Sequence, residues 1–218
     1  MTTQRLSLSL VVASALWFAA RAPGATARKP SGADDAIDLA HFHREVAARA
    51  IFEESNRRRT AAGLPRLAPL AAAQSAALWQ AQFMAQAGAI SHVNTSDRAR
   101  RTLEDRIRAA GITFRFIAEN VAVNFAIDYE ARRPVYPRRG PAGEALFSYT
   151  GDGPPLRPHT YASMARAVVS QWMNSSGHRQ NLLSREAKHL GCAAVPGLRD
   201  LHGGLGSIYC AQVFTALR

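Results

Sequence analysis

The chain has 218 residues, enough for one domain with a sizeable hydrophobic core, and no internal repeat, which excludes a repeat array. Its 27 lysines and arginines against 16 aspartates and glutamates give a formal net charge of +11, which excludes an acidic surface and points any electrostatic partnership towards anions.

The amino terminus reads as an export signal. Arg5 supplies a positive start, residues 6–20 are rich in Leu, Val and Ala, and Ala25, Thr26 and Ala27 form a small-residue cleavage site, which predicts a signal peptide over 1–27. The apolar run is shorter than the roughly 20 residues of a spanning helix. No transmembrane span is therefore expected in the mature chain, an uncleaved anchor being the alternative. Export to the periplasm or the extracellular space makes nucleic acid an unexpected partner. It directs the positive charge towards a lipid, an anionic envelope surface or a polysaccharide, unless that charge only keeps the surface solvated.

Residues 28–38 are small, polar and acidic, as in a linker, and 39–218 is expected to form a single domain. Leu39, Phe42, Val46 and Ala50 recur at helical spacing, and Gly63, Leu64 and Pro65 stop the pattern, which predicts a helix over 39–62. His41 and His43 stand two apart, point in different directions on such a helix, and read as surface residues. Pro69 opens a second helix over 69–87, with Leu70, Ala73, Ala77, Ala81 and Met84 on one face and Gly88 as its C-cap. Its alanines permit close packing on a neighbouring layer. His92 follows just beyond that helix end.

Thr102 and Asp105 have the form of a capping box, so a short helix is predicted over 103–110, closed by Gly111. Residues 116–125 alternate as a strand. The alternation puts Glu119 on the side of Ile117, Val121, Val123 and Phe125. A carboxylate on an apolar face is costly without a cation, a metal or several donors, and an arginine salt bridge or a local bulge would also account for it.

The prolines and glycines of 126–159 predict a long insert, partly ordered through Tyr136, Phe147 and Tyr149, with His159 at its end as an additional candidate ligand. Helical spacing resumes at Tyr161, Met164, Ala165, Val168 and Trp172. It breaks at Asn174, Ser175, Ser176 and Gly177, just before His178. Residues 189–195 and 207–214 read as an antiparallel pair of strands joined by a Gly-rich loop. Cys192 and Cys210 fall on these strands. An even cysteine count in an exported chain predicts a disulfide contributing about 3 kcal/mol, two buried free thiols being the alternative. Early helices, interspersed strands and a terminal hairpin predict an α+β sandwich with a central antiparallel sheet.

Ser91-His92, Ala118-Glu119-Asn120, the run 172–178 and the closing Tyr209-Cys210-Ala211-Gln212-Val213-Phe214 occur in an order and spacing that resembles the CAP superfamily of cysteine-rich secretory, antigen 5 and pathogenesis-related proteins, above all its bacterial SCP-like branch. The resemblance extends over about 51–214, interrupted by the insert, and residues 55–65 are similar to the family's first helix and turn. It implies a three-layer α-β-α sandwich whose central cleft carries two histidines and two acids. His92 and His178 match the histidines, and Glu119, beside Asn120, matches one acid. The position of the second acid, three residues after the tryptophan, holds Ser175. The cleft is accordingly expected to comprise His92, Glu119, Asn120, Ser175 and His178.

Two imidazoles and a carboxylate suit zinc or another divalent cation held by His92 and His178, with Glu119 either in the ligand set or orienting one ring from outside it. A buried hydrogen-bonded cluster is the rival reading. The expected function is an exported CAP-domain binding or interaction module for a lipid or cell-envelope ligand. The alternative is a metal-dependent hydrolase, a peptidase or esterase, with Glu119 as general base. The serine at 175 counts against catalysis that needs two carboxylates, and Ser175 and Ser176 read as helix-end residues rather than nucleophiles.

Overall fold

The computed structural model describes residues 32–130, 133–141, 143, 145–198 and 204–218. The expected signal peptide lies outside the described residues. The elements in chain order are α1 (Arg44–Ala61), β1 (Ala68–Pro69), α2 (Ala71–Ala87), α3 (Leu103–Ala109), β2 (Phe114–Phe125), β3 (Tyr136–Arg139), β4 (Ala145–Ser148), α4 (Tyr161–Asn174), α5 (Ser176–Leu182), β5 (His189–Pro196) and β6 (Ser207–Leu217).

Strands β1, β5, β6 and β2, in that order, make the middle layer. The three long strands are antiparallel, and the two-residue β1 joins β5 in parallel at the edge. Successive side chains of β6 enter opposite cores. Ile208, Cys210 and Phe214 meet α1 and α4, while Tyr209, Ala211 and Val213 meet α2 and α3. The sheet is therefore covered on both faces, which gives the expected α-β-α sandwich and explains why β6 is buried from Ser207 through Ala216.

The alanine face of α2 brings its backbone almost onto β5. A Cβ added at Gly191 would overlap the Ala73 carbonyl carbon and Gln74 N, so only glycine fits. The polar residues of 55–65 are fasteners. Asn56 exchanges hydrogen bonds with the backbone of Leu67 at 3.1 and 2.7 Å, and the buried Arg59 donates to Pro65 O, Leu182 O and Ser184 O. Arg59 thereby satisfies carbonyls at the end of α5 that the helix itself leaves open.

Several boundaries differ from the sequence reading: Pro69 ends β1 instead of opening α2, which starts at Ala71 after Leu70, and β2 and β6 extend two to three residues beyond the expected strands. The first helix starts at Arg44, because Asp38 caps a separate 3-10 turn, Leu39–His41, and the His43 N–H donates to the Tyr161 hydroxyl at 2.9 Å. The described part of the expected linker is attached to the fold: Ile37 is buried, its N–H donates to His159 O at 2.8 Å, and Ala162 N donates to Ala33 O at 2.7 Å. The insert carries a hairpin, β3 against β4, instead of a plain loop. Phe147 is buried and the Tyr149 hydroxyl accepts from Glu130 N, whereas the Tyr136 side chain stays exposed.

Both cysteines are free thiols, which corrects the expected disulfide. Cys192 faces Gln212 across the ladder and Cys210 faces Ala194, so the two are offset by two positions on adjacent strands. Such diagonal neighbours stand roughly 7–8 Å apart, beyond the usual Cα separation of about 4.4–6.8 Å in a disulfide. Burial pushes the Cys210 thiol up to about 12 and raises Cys192 as well, so both stay protonated.

Candidate functional site

The site is assembled at the outer edge of β2. Its register against β6 runs without interruption from Phe116 to Phe125, so Glu119 and Asn120 project to opposite faces. Edge carbonyls that are buried need donors from elsewhere. Trp172 Nε1 donates to Val121 O at 3.2 Å and Asn181 Nδ2 to Glu119 O at 3.2 Å, which holds the α4–α5 corner against the strand.

That corner is made by Ser175, whose extended backbone (φ −100°, ψ 124°) ends α4 and starts α5. It leaves His178 half-buried on the first turn of α5. Asn120 is fully buried and acts as a brace: Nδ2 donates to His178 O at 3.1 Å and Oδ1 accepts from Asn181 Nδ2 at 3.0 Å. Behind it, Gln212 joins Asn120 to Ser55, whose hydroxyl donates to Ile51 O. Asn120 therefore supports the wall and does not line an open cleft.

On the other side of β2, Gly88 ends α2 in the left-handed conformation (φ 71°), and Gln80 donates to Ser91 O, fixing the turn that carries His92. Asn94 Oδ1 accepts from Ser96 N, Ser96 Oγ and Asp97 N, which shapes the loop up to α3. The capping box expected at Thr102 and Asp105 is present, and it sets α3 so that Arg106 points inward.

Arg106 Nη2 donates to Glu119 Oε1 at 2.6 Å, and His92 Nδ1 lies 2.9 Å from Glu119 Oε2. A carboxylate beside a guanidinium accepts only, so the imidazole donates through Nδ1 and its Nε2 faces outward. The Arg106 and Glu119 side chains are 0% and 2% exposed, the His92 side chain 56%. The hydrogen bond with Glu119 raises the His92 pKa above its usual 6.5 against the effect of burial. Burial, and secondarily the charge of His92, lowers that of His178.

His92 and Glu119 thus meet directly, and Ser175 turns the neighbouring wall that carries His178. His159 belongs elsewhere. It sits buried at the opposite end of α4, with Nδ1 2.8 Å from Ser163 Oγ and Nε2 3.8 Å from Asp128 Oδ1. Arg106 had no sequence signal, being one arginine among many on a short helix. Gln212, Ser55 and Asn181 stood in or beside the runs that carry the resemblance, without an assigned role.

The residues do not fit a three-ligand metal centre. Such a centre needs three free protein donors, yet both Glu119 oxygens are engaged. Among the described residues no group of three or more His, Cys, Asp or Glu is placed to hold an ion. What the cluster does is orient His92 through Glu119.

A separate cavity of about 800 Å³ lies between α1 and α4, with Val46, Ala50, Ala33 and Ala162 among its apolar walls and Arg49 and Arg166 beside them. Of its three acids, Glu53 and Glu54 are paired with Arg66 and with Arg57 and Arg58, and Glu45 also lines it.

The chain is similar in fold to an extracellular protein containing an SCP domain from Bacillus anthracis (21% identity, TM-score 0.52), of which it covers 42% while 81% of this chain is matched. An outer surface protein from Borrelia burgdorferi matches at 14% identity and TM-score 0.52, over 81% of this chain and 98% of that one. No curated protein matches the chain. Residues 52–214 match the Cysteine-rich secretory protein family, CAP. With three quarters of its length matched, the chain belongs to that family.

Proposed function

We propose that this CAP domain is an exported binding module for a cell-envelope ligand, and that the ligand is an anionic lipid taken up between α1 and α4. The observation that carries the reading is the cavity of about 800 Å³, a size that suits a small-molecule site. Its apolar walls match an acyl body. Arg49 and Arg166, which have no bonded carboxylate among the described residues, match an anionic head. The formal net charge of +11, or +9 once the expected cleavage removes Arg5 and Arg21, would draw the chain to such a surface. Among the described residues no helix is long and apolar enough to cross a membrane. The similar proteins, one extracellular and one on an outer surface, support export.

Co-sedimentation with phosphatidylglycerol and phosphatidylcholine vesicles tests the reading. Wild type is expected to bind the anionic vesicles, and the Arg49→Glu, Arg166→Glu double variant to lose that binding. Equal binding by the variant would sink the proposal. Hydrolysis by a metal-bound water is not favoured, since Glu119 is committed to Arg106 and His92 and is not free to act as general base.

A further inference from the structure

We propose that Arg106 determines what the His92–Glu119–His178 cleft can bind: its guanidinium stands as a permanent internal cation at Glu119, and the cleft thereby excludes divalent metal ions. The inference is independent of the α1–α4 cavity.

Three observations carry it. The first is occupancy, because the carboxylate has one oxygen bonded by Arg106 at 2.6 Å and the other by His92 at 2.9 Å, and it is almost fully buried. A metal ion reaching it would have to share an oxygen with the guanidinium or the imidazole, or displace one of these partners.

The second is that Arg106 is held in place from several sides. Its Nη1 donates to Arg101 O at 3.2 Å and to His92 O and Arg100 O at 3.4 Å. The capping box fixes the helix that carries it, and the adjacent Ile107 is buried in the α2-side core. The Arg106 side chain is 0% exposed, so swinging it out would strand these carbonyls and Glu119. The third is charge. A dication within coordination distance of Glu119 would sit beside the guanidinium in a poorly screened interior, where like charges repel strongly.

Removing Arg106 should therefore open the cleft to metal. With Gln at 106, the Glu119 carboxylate keeps one charge and one free oxygen beside His92 and His178, which is the three-donor set of an open zinc site. Zinc binding by the full chain is to be measured by calorimetry, and cobalt binding by visible absorption, for wild type, Arg106→Gln and Arg106→Gln, Glu119→Gln. The expected result is an affinity for zinc at least about tenfold tighter in Arg106→Gln than in wild type, abolished in the double variant. Cobalt should produce intense visible bands only in Arg106→Gln. A folded Arg106→Gln, judged by circular dichroism and a cooperative thermal transition, that binds zinc no tighter than wild type overturns the inference. Should that variant not fold, wild type decides alone. Cobalt bands in wild type that vanish in the His92→Ala, His178→Ala double variant overturn the inference, and their absence supports it.

Discussion

Arg106 and Glu119 meet as an ion pair with a separation of 2.6 Å and essentially no exposure, on elements that face each other across one core of the sandwich. Breaking such a pair from one side strands a charge, which costs about 3–5 kcal/mol, whereas replacing both partners by apolar groups costs far less. Arg106→Met is expected to lower stability by about that amount, and Arg106→Met with Glu119→Leu to recover most of it. Urea unfolding of the three proteins measures this. Equal losses in the single and double variants would contradict the pairing.

The histidines should titrate in a set order. His92 is raised by its hydrogen bond with Glu119, and His178 and His159 are lowered chiefly by burial, so their midpoints fall on opposite sides of 6.5. Nuclear magnetic resonance of the ring protons is expected to show His92 above that value, and Glu119→Gln should bring it down. A His92 midpoint that ignores Glu119→Gln would refute the contact.

Stability should follow pH through His159. Its ring is neutral in both states above 6.5, so it leaves stability unchanged there. As pH falls below that value the unfolded chain takes up the proton first, and stability declines. His92 acts in the opposite sense: its contribution is complete below 6.5 and fades as pH rises through its higher folded value. At 56% exposure that contribution is small. His159→Gln should therefore flatten the decline between about pH 7 and about pH 5, as followed by thermal unfolding.

Gly191→Ala tests the approach of α2 to β5. The added methyl would collide with backbone atoms of Ala73 and Gln74, which cannot rotate away as a side chain would. A loss of about 1–3 kcal/mol or more is expected. A variant within about 0.5 kcal/mol of wild type would mean that the helix stands further off.

Neither cysteine should react with a thiol reagent in the native protein, since both are buried and protonated. Denaturation without a reductant is expected to release two reactive thiols. Finding none after denaturation would restore the disulfide.

Periodicity and caps are local, and local features are legible in the amino-acid sequence alone. The Gly88 C-cap, the Thr102–Asp105 capping box and the break at Ser175 all rest on residues within a few positions of one another. The run 116–125 also tells, through its period of two, that Glu119 shares the Val121 side, and that such a carboxylate must have a partner. Which partner it has depends on α3 lying against β2, a long-range packing that no spacing encodes. The same holds for Cys192 and Cys210: their count and compartment suggest a bridge, and only the ladder register shows them offset by two.

By itself, then, the sequence showed the helices and strands through periodicity and short-range caps, which are written in neighbouring residues, and four short runs in order pointed to the family, whose resemblance implied the layers and suggested His92 and His178. Tertiary structure alone decided that Arg106 claims Glu119, that Asn120 braces a wall and does not line the cleft, and that a cavity opens between α1 and α4. Each of these is a meeting of side chains from separate elements, settled by how the helices pack on the sheet.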